Sequence, residues 1–471
     1  MTLAIETSCD DTSVAIVEKG VHDGNTVARL HFHQKVTSNN HEFQGVHPLL
    51  TLKSHQENLA DLVADALQHL PNHQGTRRLP DFVSVTRGPG MRSNLMPGSG
   101  LAGIYHLVRF LPDCIYQLPQ KPLVGVHHMQ AHALTPRLVA ALDSYNNSIS
   151  SKNSNDEPLA DGAGTLTPTF PILSVLASGG HTILIDSSSL TSHKILGSTD
   201  DIAVGECLDK TARAILPTSV MEGAKSTMYG ALLEEFACPH PTSPGSATEL
   251  SGLTANQYTE RHGHVHAWYT PPANNEIALQ RSRTAWGWSI APPLLTTGGG
   301  TKINSLDMSF SGLMTAVERI VRFPTDPLTG KLGAEPRHAD DISLEERKDM
   351  ALGVQRAAFE HIASRVVRAL SSTTHTHAHT HTDKMPAVVL AGGVASNAFL
   401  RHVLATTLVL HGHGHVELFF PPPKYCTDNA AMIGWTGIEM FEAGYTDGLG
   451  IRAVRKWPLD ELLEPRYHDK I

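Results

Sequence analysis

One pattern occurs twice in this chain and constrains its fold more than any other feature. Leu3 to Glu6 is a short apolar segment, Thr7-Ser8-Cys9-Asp10-Asp11-Thr12 is small and polar, and Ser13 to Val17 is β-rich again. Far downstream, Ile172 to Leu176 is apolar, Ala177-Ser178-Gly179-Gly180-His181 is small and polar, and Thr182 to Ile185 is apolar and β-branched. Each stretch reads as strand, tight turn, strand. Two such β-hairpins suggest a duplicated domain, by likeness of pattern rather than identity.

Helical patterns fall between the hairpins. His55 to Leu70 carries Leu59, Leu62, Val63, Ala66, Leu67 and Leu70 as a one-sided stripe. Leu344 to Leu370 predicts a long amphipathic helix, and Ser396 to Leu410 predicts another after a glycine pair. Thr427 to Phe441 starts with Thr427-Asp428-Asn429, which suits a helix N-terminus. Strands alternating with helices place the chain in the α/β class. Ser144–Thr167, Cys238–Thr301, Phe323–Ala339 and Ser371–Asp383 are polar, Pro/Gly-rich or without a steady period. They read as surface insertions that need not pack, since low apolar content cannot offset ordering entropy. The His-Thr-His tract reads as a solvated, slippage-prone repeat, with metal binding as the alternative.

Composition excludes several classes. With 41% hydrophobic and 18% charged residues, the chain is neither a coiled-coil rod nor wholly disordered. No apolar run approaches the roughly 20 residues of a membrane span. The net charge of −9 means that any nucleic-acid contact uses a local basic patch. The 5 cysteines form no CxxC, which points to a reducing compartment without disulfides. A strand pattern begins at Leu3, so no presequence is expected ahead of it.

Three glycine turns and one histidine pair could carry chemistry. Arg87-Gly88-Pro89-Gly90 precedes a predicted helix, where an anion could sit or the chain could merely turn. Ser178-Gly179-Gly180-His181 could form an anion nest. Val388 to Asn397 runs strand, Gly-Gly, helix start, and suits an adenosine or phosphate group, with Asn397 as a hydrogen-bond partner; an unliganded turn is the alternative. His128-Met129-Gln130-Ala131-His132 places two imidazoles at i and i+4, with metal-ligand spacing on one helical face. Spacing alone is weak evidence here. The chain has 29 His, and the same interval recurs at His69/His73, His262/His266 and His411/His415. Met129 stands where a zinc-protease helix has Glu, so that motif is absent. A third ligand must come from afar; Asp428 is a candidate, and an N-cap role is its alternative. Asp209, within Gly205-Glu206-Cys207-Leu208-Asp209-Lys210, could hold a ribose hydroxyl pair or lie on a solvated face. No Ser-His-Asp or Cys-His set stands out.

Taken together, these segments resemble the tRNA N6-adenosine threonylcarbamoyltransferase family, once called glycoprotein endopeptidases. The matching pieces are Ala4 to Thr12, Gly88-Pro89-Gly90, His128 to His132, Ser178 to Thr182, Gly205 to Lys210, Ser309-Phe310-Ser311-Gly312-Leu313, Ala391 to Asn397 and Thr427 to Ile433. They occur in the family's order over roughly half the chain. The Glu-Thr-Ser-Cys-Asp-Asp-Thr start and Ser-Gly-Gly-His resemble the bacterial and mitochondrial branch.

The resemblance implies the actin/Hsp70/sugar-kinase fold, with two RNase H-like domains around a central cleft. Residues 1–140 plus 425–471 would form the first domain. Residues 170–424 would form the second, with insertions at 238–301, 323–339 and 371–383. It implies metal ligation by His128, His132 and Asp428, one Zn²⁺ or Fe²⁺ per subunit. It puts threonylcarbamoyl-AMP on Leu176, Ala177, Ser178, Gly179, Gly180, Asp209, Gly230 and Asn397. The implied reaction moves the threonylcarbamoyl group to N6 of the adenosine 3′ to the anticodon, in tRNAs reading codons that begin with A. Expected partners are tRNA, a separate synthase that supplies threonylcarbamoyl-AMP, and a second copy of the chain. Arg77, Arg78, Arg87, Arg92, Lys121, Arg452, Arg455 and Lys456 are candidate phosphate contacts. A mitochondrial matrix location is expected, with cytoplasm as the alternative. Three departures stand out: Tyr229-Gly230-Ala231 in place of the family's Gly-Gly-Pro, Met314 where it has Lys, and Gly103 where it has another Lys. They keep open a decayed paralogue that only binds. A metallopeptidase and a small-molecule kinase of the same superfamily also stay open.

Overall fold

In a computed structural model of the chain both hairpins form, and each opens a mixed sheet. The structure describes all residues except 41–42, 44, 74, 108–120, 150–158, 160–161, 163, 224–227, 239–250, 296–303, 377–386, 449 and 465–471. The chain divides into two compact units. The first is Met1–Thr169, Ser188–Lys194 and Lys424–Ile471; the second is Phe170–Ser187 and Ile195–Pro423.

The first unit contains β1 (Thr2–Glu6), β2 (Asp11–His22), β3 (Asn25–Thr37), α1 (Pro48–Gln68), β4 (Phe82–Gly88), α2 (Arg92–Leu107), β5 (Leu123–His127) and α3 (His128–Ile149). Its sheet order is β3-β2-β1-β4-β5. β1 runs antiparallel to β2 and parallel to β4, and β4 runs parallel to β5. All five residues of β1 are buried, as a central strand covered on both faces requires. Leu59, Leu62, Val63 and Ala66 of the predicted stripe join Leu3, Ile5, Val14 and Ile16 in one core. The helix begins about two turns earlier than the His55 start the stripe predicts, because Pro48 suits its first turn and His47 Nδ1 accepts from Leu50 N. The last helix, Ala430–Glu442, packs on β1 and β2.

The second unit holds β6 (Ile172–Ala177), β7 (Thr182–Ser187), β8 (His193–Ser198), α4 (Val204–Ile215), α5 (Tyr229–Ala237), β9 (Leu253–Thr254), α6 (Ala255–His262), α7 (Ser311–Arg322), α8 (Leu344–Thr376), β10 (Ala387–Ala391), α9 (Ala398–Leu410) and β11 (Glu417–Phe419). The strand order is β8-β7-β6-β10-β11-β9. Its first five strands repeat the order of the first sheet. β6 again runs antiparallel to the next strand in sequence and parallel to β10. The segment Ser188–Lys194, which includes the first two residues of β8, belongs to the first unit, where Leu190 O accepts from Gln130 Nε2 at 2.8 Å.

The structure corrects the reading of 238–301 as a region that need not pack. Its described part contributes β9 to the sheet and buries Leu253, Tyr258, Tyr269, Trp288 and Ile290. Tyr269 and Trp288 also donate to the α8 carboxylates Glu360 and Glu346, each at 3.2 Å. These anchors are single aromatic residues at irregular spacing, so they leave no period in the sequence. Phe323–Ala339 is mostly exposed, as an insertion should be. Residues 377–383 of the histidine tract lie outside the described residues. Among the described residues, no helix is long and apolar enough to cross a membrane.

Candidate metal centre

Strand β5 passes directly into helix α3 between two histidines, and the two rings do different work. His127 Nδ1 accepts from Met129 N and Gln130 N at 3.2 and 3.4 Å, capping the first turn. Its Nε2–H donates to Trp457 O at 2.8 Å. His128 then opens the helix, and His132 follows one turn later on the same face. Their ring centroids are 4.7 Å apart at 88°.

Asp428 arrives from the other end of the chain. The last helix is capped by Asn429, whose Oδ1 accepts from Met432 N at 3.0 Å. The capping role open to Asp428 therefore falls to its neighbour, and the Asp428 carboxylate turns to the histidines. Its Oδ1 lies 3.1 Å from His132 Nε2 and 3.4 Å from His128 Nε2. One ligand atom from each of the three residues falls within a 4.8 Å span. Two imidazoles and a carboxylate are hard-to-borderline donors that suit a divalent ion such as Zn²⁺ or Fe²⁺ and leave positions open.

The electrostatics follow from burial among opposite charges. Burial pushes the His128 ring down, but Asp428 and Glu6 outweigh it and hold the ring up at about 10. Burial and the neighbouring His128 lower His132 despite Asp428. Burial pushes Asp428 up, yet the two imidazoles hold it well below the usual carboxylate range. Asp10 is raised to about 6 by burial, Asp11 and Asp428. Cys9 is raised well above its usual value by burial first, then by Asp10 and Asp428, so it stays a thiol beside the centre.

Sequence reading missed Glu6 and Ser8 as site residues. Glu6 Oε2 stands 3.2 Å and Ser8 Oγ 3.3 Å from His128 Nδ1. The available signal was a carboxylate closing an otherwise apolar strand. Gly90 shows what the Gly88-Pro89-Gly90 turn is for: a Cβ there would meet Ser8 at 2.9 Å, so the turn packs against backbone of the site.

Comparison with known proteins bears on what this centre serves. The family model described as tRNA N6-adenosine threonylcarbamoyltransferase matches residues 31–147, 159–285 and 270–435. The mitochondrial tRNA N6-adenosine threonylcarbamoyltransferase of Schizosaccharomyces pombe is 32% identical over 475 residues, covering 98% of this chain and 87% of its own length. The Brucella anthropi enzyme of that name is 29% identical over 466 residues, covering 98% of this chain and 96% of its own. One from Cereibacter sphaeroides is 30% identical over 471 residues, covering 98% and 94%. The chain belongs to the tRNA N6-adenosine threonylcarbamoyltransferase family.

In this threonylcarbamoyltransferase family member, the residues expected to bind substrate lie in the second unit, at the carboxyl ends of the parallel pair β6 and β10. Leu176 and Ala391 are register partners there. Gly392 has φ +94°, and a Cβ on it would meet Ala177 O at 2.5 Å, so the two turns touch through backbone. Gly205 N, at the start of α4, donates to Ser178 O at 3.2 Å, while Gly179 and Gly180 are exposed. Asp209 Oδ1 accepts from Gly230 N at 2.7 Å, which brings those two residues together across α4 and α5. Burial raises the Asp209 carboxyl to about 6, against Gly230 and Arg213. Asn397 is buried with both ends of its amide engaged. Oδ1 accepts from Leu400 N at 2.9 Å, and Nδ2 donates to Gln355 Oε1 at 3.1 Å.

The candidate phosphate contacts divide. Arg78 pairs with Glu18 at 2.5 Å, and Arg87 pairs with Asp447 at 2.9 Å beneath Trp457, so both guanidiniums are held by the protein itself. Arg77, Arg92, Arg452, Arg455 and Lys456 are exposed, and Lys121 is half-buried. The 452–456 segment is pinned beside the centre, with Val454 N donating to Arg87 O at 2.8 Å and Gly90 N to Arg455 O at 3.3 Å.

Proposed function

We propose that this chain transfers the threonylcarbamoyl group of threonylcarbamoyl-AMP to N6 of the adenosine 3′ to the anticodon, in tRNAs reading codons that begin with A. The observation that carries the reading is the convergence of His128, His132 and Asp428 on one point in a chain of this family. The new bond joins N6 to the carbamoyl carbon, the carbamoyl–phosphate bond breaks, AMP leaves, and N6 gives up a proton. A divalent ion on His128, His132 and Asp428 would supply Lewis acidity toward a phosphate or carbamoyl oxygen. Zinc or iron, one per subunit, fits the donor set.

Leu176 to Gly180, Asp209, Gly230 and Asn397 are assigned to the AMP part. The exposed Gly179 N–H is offered to phosphate, while Gly180 N donates to Ser178 Oγ at 3.3 Å. Asp209 keeps its second carboxylate oxygen for a ribose hydroxyl. Arg92, Arg452, Arg455 and Lys456 form the basic strip for tRNA phosphates, confined on a chain of net charge −9. Much of the rate would come from holding the exocyclic amine in line with the carbamoyl carbon. The two repeated sheets support RNase H-like domains of the actin/Hsp70/sugar-kinase type. A separate synthase would supply threonylcarbamoyl-AMP, and the active form would be a homodimer. The mitochondrial relative in Schizosaccharomyces pombe supports a mitochondrial, matrix location, with cytoplasm as the alternative.

The test combines purified protein, threonylcarbamoyl-AMP and unmodified tRNA, read by nucleoside mass spectrometry. The wild type should form the modified adenosine and His128→Ala should not. Equal failure of both would overturn the transferase reading in favour of a decayed paralogue, and cleavage of a protein substrate would favour a peptidase.

A further inference from the structure

The two histidines of the centre differ in what stands behind them. Both Nε2 atoms face Asp428 Oδ1. His132 Nδ1 is buried with no hydrogen-bond partner among the described residues. His128 Nδ1 instead meets Glu6 Oε2 at 3.2 Å, with Ser8 Oγ at 3.3 Å.

Glu6 is 0% exposed, at the end of the central strand β1. A carboxylate there is costly unless hydrogen bonds surround it. They do: Oε1 accepts from Ser8 N at 2.5 Å, and Oε2 accepts from Thr86 Oγ1 at 2.5 Å. Thr86 lies on β4, the parallel neighbour of β1, so the sheet itself fixes the carboxylate. A carboxylate oxygen only accepts. The favourable arrangement therefore keeps a proton of His128 on Nδ1, toward Glu6, and makes Nε2, toward His132 and Asp428, the atom that gives up its proton when a metal binds. With a metal between Nε2 and Asp428, the opposite tautomer would set the Nδ1 lone pair against those of Glu6 and put a proton where the metal binds.

We infer that Glu6 is a positioning residue of the metal centre: it accepts the Nδ1–H of His128, orients that ring, and makes Nε2 the ligand atom. The inference rests on the reading of His128, His132 and Asp428 as a metal site. Groups that hold a ligating imidazole in this way change metal affinity by about 10- to 100-fold.

Zinc affinity of the metal-stripped full chain, measured by competition with a chromophoric chelator, tests it. Glu6→Gln keeps an acceptor without the charge and should bind Zn²⁺ about 10- to 100-fold more weakly than wild type. Glu6→Ala should bind more weakly still. Metal-free Glu6→Gln should keep the wild-type circular dichroism spectrum and a cooperative melt, which separates weakened binding from loss of the fold. Thr86→Val leaves Glu6 in place but removes the hydroxyl that steers it, and should weaken binding by a smaller factor. It decides the matter should the Glu6 variants not fold. Unchanged affinity in every folded variant overturns the role of Glu6 while leaving the metal site intact. A wild type that binds no zinc or iron overturns both.

Discussion

Two pairs of imidazoles invite comparison, one in each unit. The rings of His128 and His132 are centred 4.7 Å apart, and those of His266 and His402 are centred 5.1 Å apart. All four residues are buried. The first pair has Asp428 on one side and Glu6 on the other. The second is surrounded by Trp268, Tyr269 and Phe399. There, His266 Nε2 and both ring nitrogens of His402 have no hydrogen-bond partner among the described residues. Burial alone pushes His266 down to about 4; burial and then His266 push His402 to about 4. Burial pushes His128 the same way, but carboxylates reverse it. A buried histidine pair becomes a metal-type centre through the carboxylates around it, not through spacing or burial.

The largest test of that contrast removes the carboxylate. Asp428→Ala should lose bound metal, measured by elemental analysis, and lower tRNA modification by at least about a hundredfold. Wild-type metal content in this variant would break the comparison.

Asp209 sharpens it from the side of the acid. Asp428 faces two imidazoles and is held low, whereas Asp209 is buried with a backbone N–H and Arg213 as its partners, and rises to about 6. A carboxyl raised in the folded state contributes stability below its ordinary 3.8 and loses it as pH rises through 6. Asp209→Asn should therefore unfold at higher urea at pH 8, by about 1–2 kcal/mol, with little gain at pH 4. It should also modify tRNA more slowly, because the substituted amide is a poorer partner for a ribose hydroxyl pair.

The pairs should respond oppositely to pH in metal-free protein. His266 and His402, lowered to about 4, contribute stability that is full above 6.5 and lost as pH falls through 4. His128, raised to about 10, contributes stability that is full below 6.5 and lost as pH rises through 10. Urea unfolding across pH 4–10 should show both limbs, and His402→Phe should flatten the acid limb by about 1–2 kcal/mol. The smallest effect is expected at neutral pH. There His402→Phe should change stability by no more than about 1 kcal/mol, since it removes two unpaired buried nitrogens. Metal content should not change. A loss of metal or activity would give the second pair a function and end the contrast.

Much of the fold is legible along the chain. The hairpins, the α1 stripe and the helix after Thr427 all rest on local rules: period 2, period 3.6, and a polar residue at a helix start. The insertion 238–301 escapes those same rules. Tyr258, Tyr269 and Trp288 are held by partners distant in sequence rather than by a period. The choice of Asn429 over Asp428 as the cap is equally hidden, because neighbouring Asp and Asn residues are equally good caps in sequence.

The sequence by itself determined many of the secondary elements, the duplicated hairpin, the family and the chemistry available at each position. It left His128/His132 indistinguishable by spacing from His262/His266 or His411/His415. Tertiary structure decided which imidazoles meet carboxylates. Asp428 comes from 296 residues beyond His132, and Glu6 from 122 residues before His128. Local periodicity is set by backbone geometry within a few residues. Charge pairing depends on distances of about 3–4 Å, which only the folded sheet and its helices bring about.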